Sequence, residues 1–157
     1  MHWEDICAHP SLQDLPFKIE TNANGQIVMN AVKVAHALYQ GEIEHLLRLL
    51  LPTGKTLPEC AIKTAQGIRV ADVAWVSQSR LMTIRHEAAC SIAPEICIEV
   101  YSDSNTDDEM QEKRALYFAC GAHEVWVCRD GVMSFYHAQG QLDYSLLAPQ
   151  FPVQVMI

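Results

Sequence analysis

Three charged residues of this chain stand where charge is costly. Asp72 lies inside the apolar run Ile68–Val76, Glu99 inside Ile96–Tyr101, and Lys113 on the apolar stripe of an expected helix. A buried carboxylate or ammonium without a partner costs several kcal/mol or is forced neutral, so such groups pair or bind a metal ion. Neighbouring carboxylates repel and have raised pKa values unless a cation lies between them. A divalent ion such as Mg2+ takes one or two carboxylates, keeps several waters and binds a substrate phosphate. It polarises a phosphoryl oxygen and makes a bound water nucleophilic, and a lysine beside it steadies the developing charge. Two acids and one lysine converging in one fold are a complete set for phosphodiester hydrolysis.

Each charge also has a plainer reading. Strand alternation puts Ile96, Ile98 and Val100 on one face and Cys97, Glu99 and Tyr101 on the other. An edge strand would turn Glu99 to water, but continuous apolar runs mark strands covered on both faces. The same alternation groups Asp72 with Val70, Ala74 and Val76, and a bulge would tip it outward. Lys113 shares a helical face with Met110, Leu116, Tyr117 and Cys120. Its alternatives are a pair with Glu109 or a stem that snorkels to water.

The elements that must position these residues can be read from punctuation and period. Residues 17–29 predict a hairpin turning at Asn24-Gly25, a pair that supplies positive φ. From about Ala31 to Leu51 the period becomes helical, with Tyr39, Ile43, Leu46, Leu47 and Leu50 on one face, until Pro52 and Gly54 stop it. Strands are expected at 57–64 and 68–76, a less regular stretch from Ser77 to Ala93, and a strand from Pro94 to about Tyr101. Thr106 and Glu109 fit a capping box opening a second helix that Gly121 ends. Strands at 123–128, 131–137 and 142–147 follow. This order predicts an α/β (α+β) fold, a mixed central sheet flanked by helices and preceded by a hairpin.

Length and composition set the bounds. The 157 residues, half of them hydrophobic, suffice for one domain over 1–157 with a real core. No apolar stretch approaches the roughly 18 residues of a membrane span, and the Met1-His2-Trp3 start lacks a secretory pattern, so a cytoplasmic protein is expected. The six cysteines form no CxxC pair and read as reduced core residues. A net charge of −8 argues against broad affinity for nucleic acid, although Arg69, Arg80 and Arg85 flank the Asp72 run, where a solvated rim is the plainer account.

These residues resemble the PD-(D/E)XK nuclease superfamily, and within it the Uma-type branch of small bacterial restriction endonucleases. The likeness is carried by Arg69-Val70-Ala71-Asp72-Val73-Ala74-Trp75-Val76, by Ala93-Pro94-Glu95-Ile96-Cys97-Ile98-Glu99-Val100-Tyr101-Ser102, by Glu112-Lys113-Arg114-Ala115-Leu116-Tyr117 and by Gly121 to Val127. It implies a restriction-endonuclease-like sheet, Asp72 and Glu99 as ligands of Mg2+ (or Mn2+), and Lys113 as the catalytic lysine. The superfamily motif would place lysine at position 101; Tyr101 stands there, and the lysine is displaced onto the following helix. Ala71 replaces the usual proline before the aspartate. Glu20 is the weaker candidate for a third acid, ahead of Glu59. His36, at the start of the long helix, could approach the site, but a cap or surface residue is its plainer reading; His86 and His123 lack a ligand-like spacing, and none of the three is given a metal role. The resemblance implies a DNA substrate, and cutting both strands implies a homodimer. The alternatives are RNA as substrate, or a catalytically silent scaffold that binds protein or nucleic acid.

Overall fold

The structure is a computed structural model that describes all residues, 1–157. Its elements run α1 (Trp3–Ala8), β1 (Phe17–Thr21), β2 (Ile27–Ala31), α2 (Val34–Leu50), β3 (Lys55–Thr64), β4 (Gly67–Val76), α3 (Gln78–Ile84), β5 (Ile96–Val100), α4 (Asp107–Ala119), β6 (Glu124–Arg129), β7 (Val132–His137) and β8 (Gly140–Leu142). Strands β3 to β8 form one six-stranded sheet in sequence order, and β1 and β2 form a separate hairpin. All sheet neighbours are antiparallel except β5 and β6. A parallel pair needs a crossover, and α4 supplies it. This is the mixed sheet with flanking helices and leading hairpin that the sequence predicts. No helix is long and apolar enough to cross a membrane.

The sheet carries an apolar cluster on each face. Ile43 and Leu47 of α2 pack with Val73, Trp75, Ile96, Ile98, Trp126 and Phe135. Tyr117 and Ile84 pack with Ala71, Ala74, Val76, Cys97 and Val125 on the other side. Strand β5 thus alternates as expected, but β4 does not: Ala71 and Ala74, three apart, share a cluster. The break falls at Asp72. Opposite it, Glu59 has φ 52°, a left-handed conformation uncommon for a residue with a Cβ, and the β3–β4 pairing skips from Pro58–Val73 to Cys60–Ala71. Asp72 therefore does not share a face with Ala74 and Val76 in the simple sense that alternation predicts.

Other expectations are revised. Ser77 to Ala93 contains a helix, α3, capped by Ser77, whose side chain accepts from the Arg80 N–H. Arg80 is a structural knot, not a solvated rim: it reaches Glu95 and the carbonyls of Ala93 and Gly121. All six cysteines are free thiols, but Cys7 is exposed and Cys120 half-buried, so those two are not core residues.

The expected strand at 142–147 stops at Leu142. The chain beyond it is tied to buried Glu124, whose carboxylate accepts from Trp126 Nε1 (2.7 Å), Ser145 Oγ (2.6 Å), Leu146 N (2.8 Å) and Leu147 N (2.9 Å). Truncating Glu124 leaves four donors without their acceptor. Glu124→Ala should lower stability by about 3 kcal/mol or more, read by urea denaturation; a loss under about 1 kcal/mol would show that the loop finds other partners.

Candidate active site

The hairpin meets the sheet at one end of β4. Gly67, at φ +94°, lies so close to the hairpin that an added Cβ would come within 2.6 Å of the Thr21 and Asn22 carbonyl oxygens. Thr21 Oγ1 accepts from the Ile68 N–H at 2.8 Å, and Glu20 Oε2 from the Val70 N–H at 2.7 Å. These contacts dock β1 onto β4 and turn Lys18 and Glu20, two residues apart and so on one face, toward Asp72 and Glu99.

Asp72 marks the end of the β4–β5 ladder. The last paired residues are Val73 and Ile98; beyond them the Val100 N–H donates to Asp72 Oδ2 at 2.7 Å. The carboxylate does there what a strand carbonyl would do elsewhere. The Asp72 main-chain carbonyl, left over by the break at Glu59, accepts from Gln40 Nε2 at 2.8 Å, and the same amide reaches Glu59 Oε1 at 3.2 Å. The irregular backbone at Glu59 and Asp72 is thus what frees the aspartate for the cleft.

The capping box expected at Thr106 and Glu109 forms and sets the register of α4, which delivers Lys113 and Tyr117. Lys113 Nζ lies 3.0 Å from Glu20 Oε2 and 3.3 Å from Glu99 Oε1. Glu109 is engaged with Thr106 and Asn105, so Lys113 neither pairs with it nor snorkels out; its side chain is 12% exposed. Tyr117 donates its hydroxyl to Glu99 Oε1 at 2.6 Å. The three charges singled out in the sequence, with Glu20 as the fourth, therefore line one small cleft. Neither Glu59 nor His86 is among its lining residues.

Lys18 is not singled out by the sequence, and His36 only as a residue that could approach the site without a metal role. Lys18 Nζ sits 2.9 Å from Asp72 Oδ1 and 3.6 Å from Glu99 Oε2, its side chain 9% exposed. His36, which enters from the first turn of α2, brings Nε2 to 3.3 Å from Asp72 Oδ2, while its Nδ1 is buried with no hydrogen-bond partner. The signal for Lys18 was its place two residues before Glu20 in a strand.

The cluster holds three carboxylates against two ammonium groups and an imidazole. Burial alone would push the Asp72 carboxyl up, but the Lys18 ammonium and the His36 hydrogen bond hold it well below the usual carboxylate range. Glu99 goes the other way. Burial dominates, and although Lys113 and Lys18 oppose it, the carboxyl is pushed up to about 7. The hydrogen bond to Asp72 raises His36 against the effect of burial. Lys18 is raised too: burial lowers it, and the surrounding carboxylates Glu99, Asp72 and Glu20 overcome that.

Hard oxygen donors of this kind suit Mg2+ or Mn2+. The fit has a direct mark, because a cation already lies between Asp72 and Glu99: the Lys18 ammonium. No group of three or more acids, histidines or cysteines is arranged as a metal cage, and Glu20 is turned to Val70 and Lys113. Mg2+ needs only one or two carboxylates from the protein, so a two-acid site is adequate.

The sequence profile of the Uma2 family, described as "Putative restriction endonuclease", matches residues 3–155. Among solved structures the chain is similar to a protein from Anabaena variabilis described as a putative nuclease of the DUF820 family. That likeness has a TM-score of 0.76 at 15% identity, covering 98% of this chain and 94% of that one, and it shows a shared fold. No curated protein matches. With nearly all of its length matched by the profile, the chain belongs to the Uma2 family.

Proposed function

We propose that this protein is a cytoplasmic, Mg2+-dependent endonuclease that hydrolyses phosphodiester bonds of DNA, with Mn2+ as a competent substitute. The observation that carries the reading is the convergence of Asp72, Glu99 and Lys113, remote in the chain, on one cleft. Membership of a family described as restriction endonucleases supports a nucleic acid as substrate.

Asp72 and Glu99 would hold the ion, which when bound supplies a polarised phosphoryl oxygen and an activated water. The chain's own residues supply the rest. Val100 N–H and His36 fix the Asp72 carboxylate, and Tyr117 fixes Glu99. Lys113, held between Glu20 and Glu99, offers its ammonium to a substrate phosphate or to the attacking water. A groove of about 520 Å³ adjoins the cleft and shares His36, Val100 and Ser102 with it. Tyr39 and Tyr101 line that groove; Tyr39 packs against the core, and one face of the Tyr101 ring is covered by the Arg129 guanidinium at 4.2 Å, so a base would stack on its other face. Cleavage of both strands calls for two such sites, so we propose that the protein acts as a homodimer.

The test is direct. Purified protein incubated with plasmid DNA and with single-stranded RNA should cut DNA in Mg2+ or Mn2+ and lose that activity in EDTA. Cleavage of RNA alone would move the substrate; cleavage of neither would favour a silent scaffold, the reading that the charge of −8 supports.

A further inference from the structure

Lys18 has no part in the chemistry just described, yet it is the group most intimately placed between the two acids. Its Nζ stands 2.9 Å from Asp72 Oδ1 and 3.6 Å from Glu99 Oε2. A divalent ion coordinates carboxylate oxygens at about 2.0–2.1 Å. An ion bridging those two oxygens cannot share the space with an ammonium that is hydrogen-bonded to one and paired at 3.6 Å with the other. We propose that Lys18 is the site's resident counter-ion and competes with the divalent metal for Asp72 and Glu99, so that it sets the metal affinity of the site. This rests on the reading of those acids as the metal ligands.

The arrangement of β1 lets the exchange happen without refolding. The hairpin is tied to β4 through Glu20 and Thr21, both beyond Lys18 toward the docked end of the strand. On the other side Phe17 and Leu15 are exposed. The lysine reaches the acids only through its flexible stem, so rotation about that stem withdraws the ammonium while Glu20 and Lys113 stay in place. The neighbouring cation does not serve in its stead: Lys113 contacts Glu99 and Glu20 but not Asp72.

The same pairing explains how two buried acids are tolerated together. Lys18 neutralises Asp72, and removing one partner of a buried pair leaves an uncompensated charge that destabilises the fold. A divalent ion can supply that compensation. The signature of the competition is therefore a crossed one: loss of Lys18 weakens the protein without metal and strengthens its hold on metal.

The experiment is Mn2+ titration calorimetry on EDTA-dialysed wild type, Lys18→Met and Lys18→Gln, with thermal unfolding in EDTA and in Mn2+. Both variants should bind Mn2+ at least tenfold more tightly than wild type, melt several degrees lower in EDTA, and recover when Mn2+ is added. Variants that bind Mn2+ no more tightly than wild type, with binding intact in all three proteins, overturn the competition and leave the metal reading standing. Absence of Mn2+ binding from all three overturns both. Should neither variant fold, the wild type gives the answer by amine acetylation and mass spectrometry: Lys18 should become more reactive on Mn2+ addition, and unchanged protection at saturating Mn2+ overturns the proposal.

Discussion

Asp72→Asn is expected to lower Mg2+-dependent DNA cleavage by about a thousandfold or more. Asparagine keeps the size of the side chain and an oxygen that accepts from the Val100 N–H, at present a 2.7 Å bond, so the end of the β4–β5 ladder is preserved. What it removes is the charge, and with it the main electrostatic reason for a cation to enter. Metal assistance to phosphoryl transfer is worth several kcal/mol, and each 1.36 kcal/mol, about one factor of ten, appears in the rate. The measurement is plasmid nicking over a range of Mg2+ concentrations, with circular dichroism to confirm the fold. Cleavage at the wild-type rate in a folded Asp72→Asn protein would end the proposed mechanism.

How much of this was legible beforehand follows from what each residue announces about itself. Asp72 and Glu99 sit among Val, Ile and Ala, so their surroundings betray them, and Lys113 interrupts a helical stripe. The capping box of α4 and the Asn24-Gly25 hairpin are local signals and were readable as such. Lys18 was not, because Phe17-Lys18-Ile19-Glu20 also fits an ordinary solvent-facing strand; only the docking of the hairpin onto Gly67, Ile68 and Val70 makes its polar face internal. Tyr117 passed as one more apolar stripe residue, since nothing local reports that its hydroxyl meets Glu99.

The backbone was harder still. Glutamate at φ 52° is not announced by any residue type, as a glycine would be, so the break at Glu59 could not be read; an irregularity at Asp72 is one of its two readings, but one expected to tip the carboxylate outward, and the carboxylate is buried. Ser145-Leu146-Leu147 looks like strand because it is apolar, but its N–H groups answer to Glu124, which is distant in sequence. The α3 helix had a usable start signal in Ser77, outweighed by the lack of a clear apolar period after it. The errors thus fall where long-range polar contacts override local pattern.

Lys113→Met separates the chemistry of the site from its binding of metal. The lysine touches Glu99 and Glu20, but Asp72 keeps Lys18, His36 and the Val100 N–H, Glu99 keeps Tyr117, and Glu20 keeps the Val70 N–H. Both proposed metal ligands therefore stay oriented after the substitution, and Mn2+ should still bind. The charge that Lys113 brings to the transition state is lost. Removal of one well-placed donor costs about a hundredfold to a thousandfold in rate, so cleavage at saturating Mg2+ should fall by that amount. Lys113→Arg, which keeps the charge but not the compact ammonium geometry, should fall between the two. Calorimetry with Mn2+ beside a single-turnover cleavage assay reads both quantities on the same preparations. If Lys113→Met loses metal binding along with cleavage, the lysine serves to hold Glu99 in place; if it loses neither, the ammonium that bridges Glu20 and Glu99 is a structural counter-ion, and the charge stabilising the phosphate must come from elsewhere in the cleft.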